Sequence, residues 1–413
     1  NVESRGLGDV YKRQLYILSI ALFFASCAKE DIQYEIVEVE VPVVQTVVET
    51  VEVEVKVPVV ETVEVPYSYE FSRDGESTVY FRGQTARLNM ADAVYLALKS
   101  NTSTKEQILE MFNDGTGFAD ESLNTSGKKM GNKTASSPLA SATVKPLFDA
   151  MIADFVDNVI PNWASDASNG QPGVLTDPTR TIRVNAKGHE VDQTFIKGII
   201  GAMAVDQIIN NYITPYQLDS GSRVQDNDNN VLSSGKNYTD MEHKWDEGFG
   251  YLYGQEADHT RLDLGTSPTG NGTTLNKYFK KVNADNQKGM GVTVFNAFKR
   301  GRAFIVAKQY DKRDEQAEII KKELSKLVAY KAVDYLNGYM SKIAAGNTAD
   351  AFHALSEGYG FIMSLQFTND GTDTPYFSNT EVNAFLASMD NFWTVENSTL
   401  ESIRDEIKSK FGI

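Results

Sequence analysis

From Gln316 to Ala345 the chain contains no proline. Ile319, Ile320, Leu324, Leu327, Val328, Ala332, Tyr335, Leu336 and Tyr339 follow one another at the three- and four-residue steps of a helix. This makes one long apolar stripe. A helix carrying such a stripe has to bury it against other elements, which sets helix-on-helix packing as the organising rule. The chain after residue 66 reads the same way. Lys105–Phe112 starts behind Ser103 and Thr104, both good N-cap types. Val144–Ile160 places Leu147, Met151, Phe155 and Val159 at helical intervals. Val191–Ile213 is largely apolar and too long for a strand; Gly198 and Gly201 inside it point to close helix approach, at some cost in helix propensity. Tyr238–Tyr253, Val292–Tyr310, Ala349–Phe367, Glu381–Met389 and Thr399–Phe411 are further helical patterns, whereas Ser77–Leu88 reads as a short extended piece. Turn residues mark loops at Asn113–Phe118, Ser165–Pro178, Asp219–Gly235 and Leu264–Asn276. With 41% hydrophobic residues over 413 positions, the chain has enough apolar surface for a real core. The expected fold class is all-α, one bundle or two bundles packed together.

Two segments echo each other. Residues 243–252 read HKWDEGFGYL and residues 353–362 read HALSEGYGFI, both His-x-x-x-Glu-Gly-aromatic-Gly-aromatic-aliphatic. Duplication of half a bundle explains such an echo. On a helix, His at i and Glu at i+4 lie about 40° apart, on one face. If the copies face each other, His243, Glu247, His353 and Glu357 converge, and two imidazoles with two carboxylates suit zinc or iron. The spacing differs from the Glu-x-x-His of di-iron bundles and from the His-Glu-x-x-His of zinc proteases. The alternative is packing. Gly248, Gly250, Gly358 and Gly360 then permit close helix contact, Phe249 and Tyr359 fill the core, and each Glu satisfies its own His or a backbone group.

The motifs NYTDMEHKWDEGFGYLYG, KGIIGAMAVDQIINNYI, NDGTGFADESLNTSGKKMGNKTA and FNAFKRGRAFIVAKQYDKRDEQAEIIKKELSKLVAYKAVDYLN resemble those of domain-of-unknown-function family 4856, lipoproteins of Bacteroidota related to the imelysin-like proteins. The resemblance spans residues 67–413. It implies an imelysin-like pair of related helical bundles. It also implies a cell-envelope role in iron or haem acquisition beside TonB-dependent uptake components, with no established enzymatic activity. Imelysins, once classed as metallopeptidases, are marked by Gly-x-His-x-x-Glu. That pattern is absent here: Gly188-His189-Glu190 lacks the spacer, and Met241 stands two residues before His243. The imelysin metal site therefore does not carry over.

The amino-terminal part concerns address and reach. Residues 1–14 look like translated adapter sequence and are set aside. Leu15–Ala25 is an apolar run too short for a permanent span but suited to a signal peptide, and Phe24-Ala25-Ser26-Cys27 resembles a lipobox. Cys27, the one cysteine of the chain, is then the lipidated first residue of the mature protein, and no Cys-based zinc site or internal disulfide exists. Lys29-Glu30-Asp31 is similar to a surface-export signal, so the outer membrane is the expected location, on its external face in preference to the periplasmic one. Residues 28–66 are read as one acidic segment, in which 32–66 alternate Val with Glu or Thr, interrupted by Pro42, Pro58 and Pro66. Ten acids against Lys56 give residues 30–66 a charge of −9 out of the total of −16. Self-repulsion favours an extended stalk reaching up to about 120 Å; the same alternation also suits strand pairing.

An acidic chain of this kind is a poor nucleic-acid binder. Asp226-x-Asp228-x-Asn230 opens like a calcium loop but has Val231 where Gly is required, so a solvated loop is expected. Lys299, Arg300 and Arg302 form a basic patch expected to pair with Asp314 and Glu315, or to hold an anion. His189 and His259 stand in polar stretches and are expected to be exposed bystanders. The function classes left are a binding lipoprotein of iron or haem uptake, a metal-dependent hydrolase using iron or zinc, and a non-catalytic surface scaffold.

Overall fold

The computed structural model describes residues 32–42, 48–58, 63–260, 272–372 and 374–413. Cys27 and the signal segment lie outside them. The chain divides into an amino-terminal unit ending at Glu64 and a body, Val65–Ile413. In the first unit β1 (Ile32–Pro42) pairs antiparallel with β2 (Val48–Pro58). Val37 stands opposite Val53 and Val39 opposite Val51, and each strand stops at a proline, which cannot continue the ladder. Within the Val/Glu segment these two runs thus pair as strands, which the alternation also suits.

The body is all-α, as expected. Its principal helices are α1 (Arg82–Ala97), α2 (Pro138–Asp154), α3 (Val191–Ile199), α4 (Asp240–Tyr253), α5 (Leu275–Asp285), α6 (Met290–Val306), α7 (Tyr310–Ala344), α8 (Thr348–Ser364), α9 (Asn379–Ser388) and α10 (Asn397–Phe411). The apolar stripe of α7 is buried as its spacing requires: Ile320, Leu324, Leu327, Val328, Ala332 and Leu336 are all at 0% exposure. They pack chiefly against α8 and α6. α8 packs in turn on α3. Beyond α3 the helical run continues through wide i→i+5 turns at Ile200–Val205 and Ile208–Tyr212. A methyl on Gly201 would stand 2.2 Å from Ser364 Cβ, so this run lies directly on the end of α8.

Three local expectations change. Ser77–Leu88 is mostly helix, because α1 starts at Arg82; its inward face carries Gln84 and Arg87, and polar residues there hide the apolar period. Leu275–Asp285 is a helix that the reading of a loop through Asn276 stops short of. Gly173–Thr176 and Thr181–Val184 form a small hairpin, β3 and β4, within what reads as loop. Among the described residues no helix is long and apolar enough to cross a membrane.

Candidate functional site

α4 and α8 carry the two echoed segments. α4 is well started: Thr239 accepts from the Glu242 amide at 3.3 Å while Glu242 accepts from the Thr239 amide at 2.7 Å, a reciprocal cap. One turn on, His243 Nδ1 contacts the Tyr80 carbonyl at 3.0 Å. Glu247 accepts from Gln84 Nε2 at 2.9 Å and Lys244 Nζ at 2.7 Å, and lies 3.9 Å from His243 Nε2. Burial opposes its charge, but Lys244 and His243 outweigh burial and hold the carboxyl below its usual range.

The second pair is built alike. His353 Nδ1 meets Glu190 Oε2 at 2.5 Å, and His353 Nε2 lies 3.5 Å from Glu357. Glu357 pairs with Lys197 Nζ at 3.1 Å and accepts from the Tyr278 hydroxyl at 3.2 Å. Against burial, Lys197 and then His353 hold the Glu357 carboxyl at about 2. In each pair the motif Glu takes a side chain from the helix alongside (Gln84 of α1, Lys197 of α3), and the His turns to that helix's amino-terminal end. The second motif glycine marks the contact. A methyl on Gly250 would stand 2.4 Å from Phe81 Cβ, and one on Gly360 2.4 Å from Lys197 Cβ. Gly248 faces Ile213 and Gly358 faces Tyr335. Phe249 is fully buried, stacked on Tyr69 with centroids 3.7 Å apart.

The shared four-ligand metal centre does not form. His243 and Glu247 have one set of partners, His353 and Glu357 another. Among the described residues no group of three or more His, Cys, Asp or Glu is placed to hold a metal ion. Both carboxylates accept from protein donors, Gln84 and Lys244 at Glu247 and Lys197 and Tyr278 at Glu357.

Sequence reasoning missed an ionic core beneath α4. Arg302 is wholly buried and donates to Glu242 at 3.1 Å, Asp246 at 3.2 Å and the Thr78 hydroxyl at 3.0 Å. Arg73 bonds the same Glu242, and the Tyr69 hydroxyl donates to Asp246 at 2.8 Å. Burial pushes the Asp246 carboxyl up to about 6 although Arg302 opposes it. Arg302 thus does not pair with Asp314 or Glu315; Asp314 pairs with its neighbour Arg313. The spacing of Glu242, Asp246 and Arg302 carries no local signal, because the three meet only through tertiary packing. Asp226 and Asp228 sit at the end of a short helix, where Asp228 accepts from Tyr310 at 2.6 Å, so no calcium loop exists.

His189 is also unlike its expectation. It is 8% exposed, sits 4.2 Å from the Phe392 ring, and its Nε2 meets the Asp390 carbonyl at 2.7 Å. Burial brings its imidazole down to about 4. Gly188 before it takes a φ of +91°, with Phe352 against its open side, so no other residue fits the turn without strain. His259 is half-buried, edge-on to Phe81 at 4.9 Å. Beside His189 a cleft of about 470 Å³ opens, lined by Met151, Met363 and Leu386 with Tyr359, Lys187 and Asp154 around them.

A family model described as a domain of unknown function (DUF4856) matches residues 66–413. The chain belongs to this family. The DUF4856 match covers the whole body and therefore both echoed segments. Comparison with curated proteins and with solved structures gave no match.

Proposed function

We propose that this protein is a lipid-anchored component of the cell envelope that binds a ligand or partner in iron or haem acquisition, and that its two bundle halves arose by duplication. The anchor rests on Cys27, the lone cysteine, directly behind small residues at the end of an apolar run. A lipid chain there places the DUF4856 body in water at a membrane surface. The observation that carries binding over metal-dependent hydrolysis is the engagement of both His–Glu pairs by protein groups: Lys244, Gln84 and the Tyr80 carbonyl in one, Lys197, Tyr278 and Glu190 in the other. A hydrolytic ion needs those lone pairs free and an open coordination position. The matching use of α1 and α3 supports duplication. The cleft beside Tyr359 and Met363 is the place in this reading for a ligand with an apolar body.

The test has two parts. Metabolic labelling with an alkynyl fatty acid marks the wild-type chain and leaves Cys27→Ser unmarked; equal labelling sinks the anchor. A deletion strain grows normally in iron-replete medium and slowly when haem or chelated iron is the sole source; equal growth in both sinks the acquisition role.

A further inference from the structure

We propose that Arg87, Lys133 and Lys244 form a binding site for a phosphate group, beside Tyr212 and Tyr251. Arg87 sits on the inward face of α1 and is 7% exposed. Its Nε donates to the Lys129 carbonyl at 2.9 Å and its Nη1 to the Gly83 carbonyl at 3.4 Å. Both partners are neutral, and among the described residues no carboxylate pairs with it. A buried guanidinium held by neutral groups alone, two backbone carbonyls and the neighbouring Tyr251 hydroxyl, is an incomplete arrangement, because buried charges are ordinarily matched.

Two ammonium groups share the neighbourhood. Lys133 Nζ lies 5.2 Å from the Tyr212 ring centre and Lys244 Nζ 5.9 Å from the same centre. The carboxylate present is Glu247, already engaged by Lys244, Gln84 and His243. Three cations against one carboxylate leave a surplus of two positive charges, in a chain whose net charge is −16. Burial first, and then the adjacent Arg87, hold the Lys133 ammonium below its ordinary range, with Glu247 opposing them in part.

A second observation points to a ligand independently. Tyr251 is 0% exposed, its ring centre is 5.9 Å from that of Tyr212, and its hydroxyl, which lies beside the Arg87 guanidinium, meets no acceptor for its own hydrogen. Arg87 and Glu247 are the charges that act on it. A buried hydroxyl left unsatisfied between charged groups is a donor awaiting an acceptor. Phosphate supplies two negative charges and several acceptor oxygens, and an Arg fork with flanking Lys groups is the usual means of holding it. A monocarboxylate leaves half the surplus uncompensated.

The experiment is calorimetric titration of inorganic phosphate into the full chain, at constant ionic strength in chloride buffer. Wild type, Lys133→Gln, Lys133→Gln/Lys244→Gln and the exposed control Lys288→Gln are compared. One saturable site is expected in wild type and control, weakened about tenfold in the double variant and by less in the single one, which keeps the test alive if the double variant fails to fold. Glycerol phosphate binding at the same site more tightly than phosphate supports the site and shows that the group is carried on a larger ligand. Acetate binding as tightly as phosphate, the absence of saturable phosphate binding in wild type, or one affinity across all four proteins overturns the proposal.

Discussion

Single residues in this molecule are chosen for the space they leave as much as for the groups they bring. Gly250 and Gly360 stand where a methyl collides with the neighbouring helix at 2.4 Å, whereas Gly338 in α7 meets nothing closer than Ala354 Cβ at 3.9 Å. Gly250→Ala and Gly360→Ala therefore destabilise the body by about 1–3 kcal/mol through overpacking. Gly338→Ala stabilises it by roughly 0.5–1 kcal/mol through helix propensity. Urea denaturation of the three variants reads the opposite signs; a shared sign refutes the packing role of the motif glycines. The Lys197–Glu357 pair makes a second prediction. Lys197→Met strands a buried carboxylate and costs about 3–5 kcal/mol, and a second substitution, Glu357→Leu, restores much of that loss. If the double variant is no more stable than Lys197→Met, Glu357 is bonded well enough without the lysine.

Elements follow periodicity where a helix buries an apolar stripe, and escape it where polar side chains do the inward work. α7 was legible from Ile320 to Leu336 because nearly every inward position is aliphatic. α1 was not, because Gln84 and Arg87 occupy its inward face and bond Glu247 and backbone carbonyls across the fold. The His-x-x-x-Glu echo was legible as a pair of helical motifs. Their partners were not: Lys197 and Tyr278 lie far off in sequence, and nothing local marks Arg302 as the partner of Glu242 and Asp246. The turn into α3 gives a pH dependence. His189 is drawn from an ordinary value of 6.5 down to about 4 by burial, so the unfolded chain binds its proton first. Its contribution is complete above pH 6.5 and is lost as pH falls toward 4, by up to about 3 kcal/mol. Lys187, Asp390 and Asp154 surround it, and Gln at this position keeps a donor for the Asp390 carbonyl. The stability difference between wild type and His189→Gln should shrink steadily from pH 7 to pH 4; a constant difference refutes the buried neutral imidazole.

At the scale of the whole molecule, two helix pairs of like construction hold their charges internally, and among the described residues no group of three or more His, Cys, Asp or Glu is placed to hold a metal ion. Exhaustive dialysis against a chelator is accordingly expected to leave the melting temperature unchanged, and a fall of several degrees on metal removal would show a structural ion. The chain enters this body through Tyr69, clamped between the Phe249 ring and Asp246, and through Arg73 on Glu242. Behind them stands Arg302, closed off from solvent. Mechanical load arriving along the backbone from residue 65 thus meets a desolvated ionic clasp on α4 and α6 before it reaches α1. Because burial pushes the Asp246 carboxyl in that clasp up to about 6, above its unfolded value, the closed clasp holds a proton that the opened chain gives up, and resistance to pulling is expected to rise as the medium is acidified through that value.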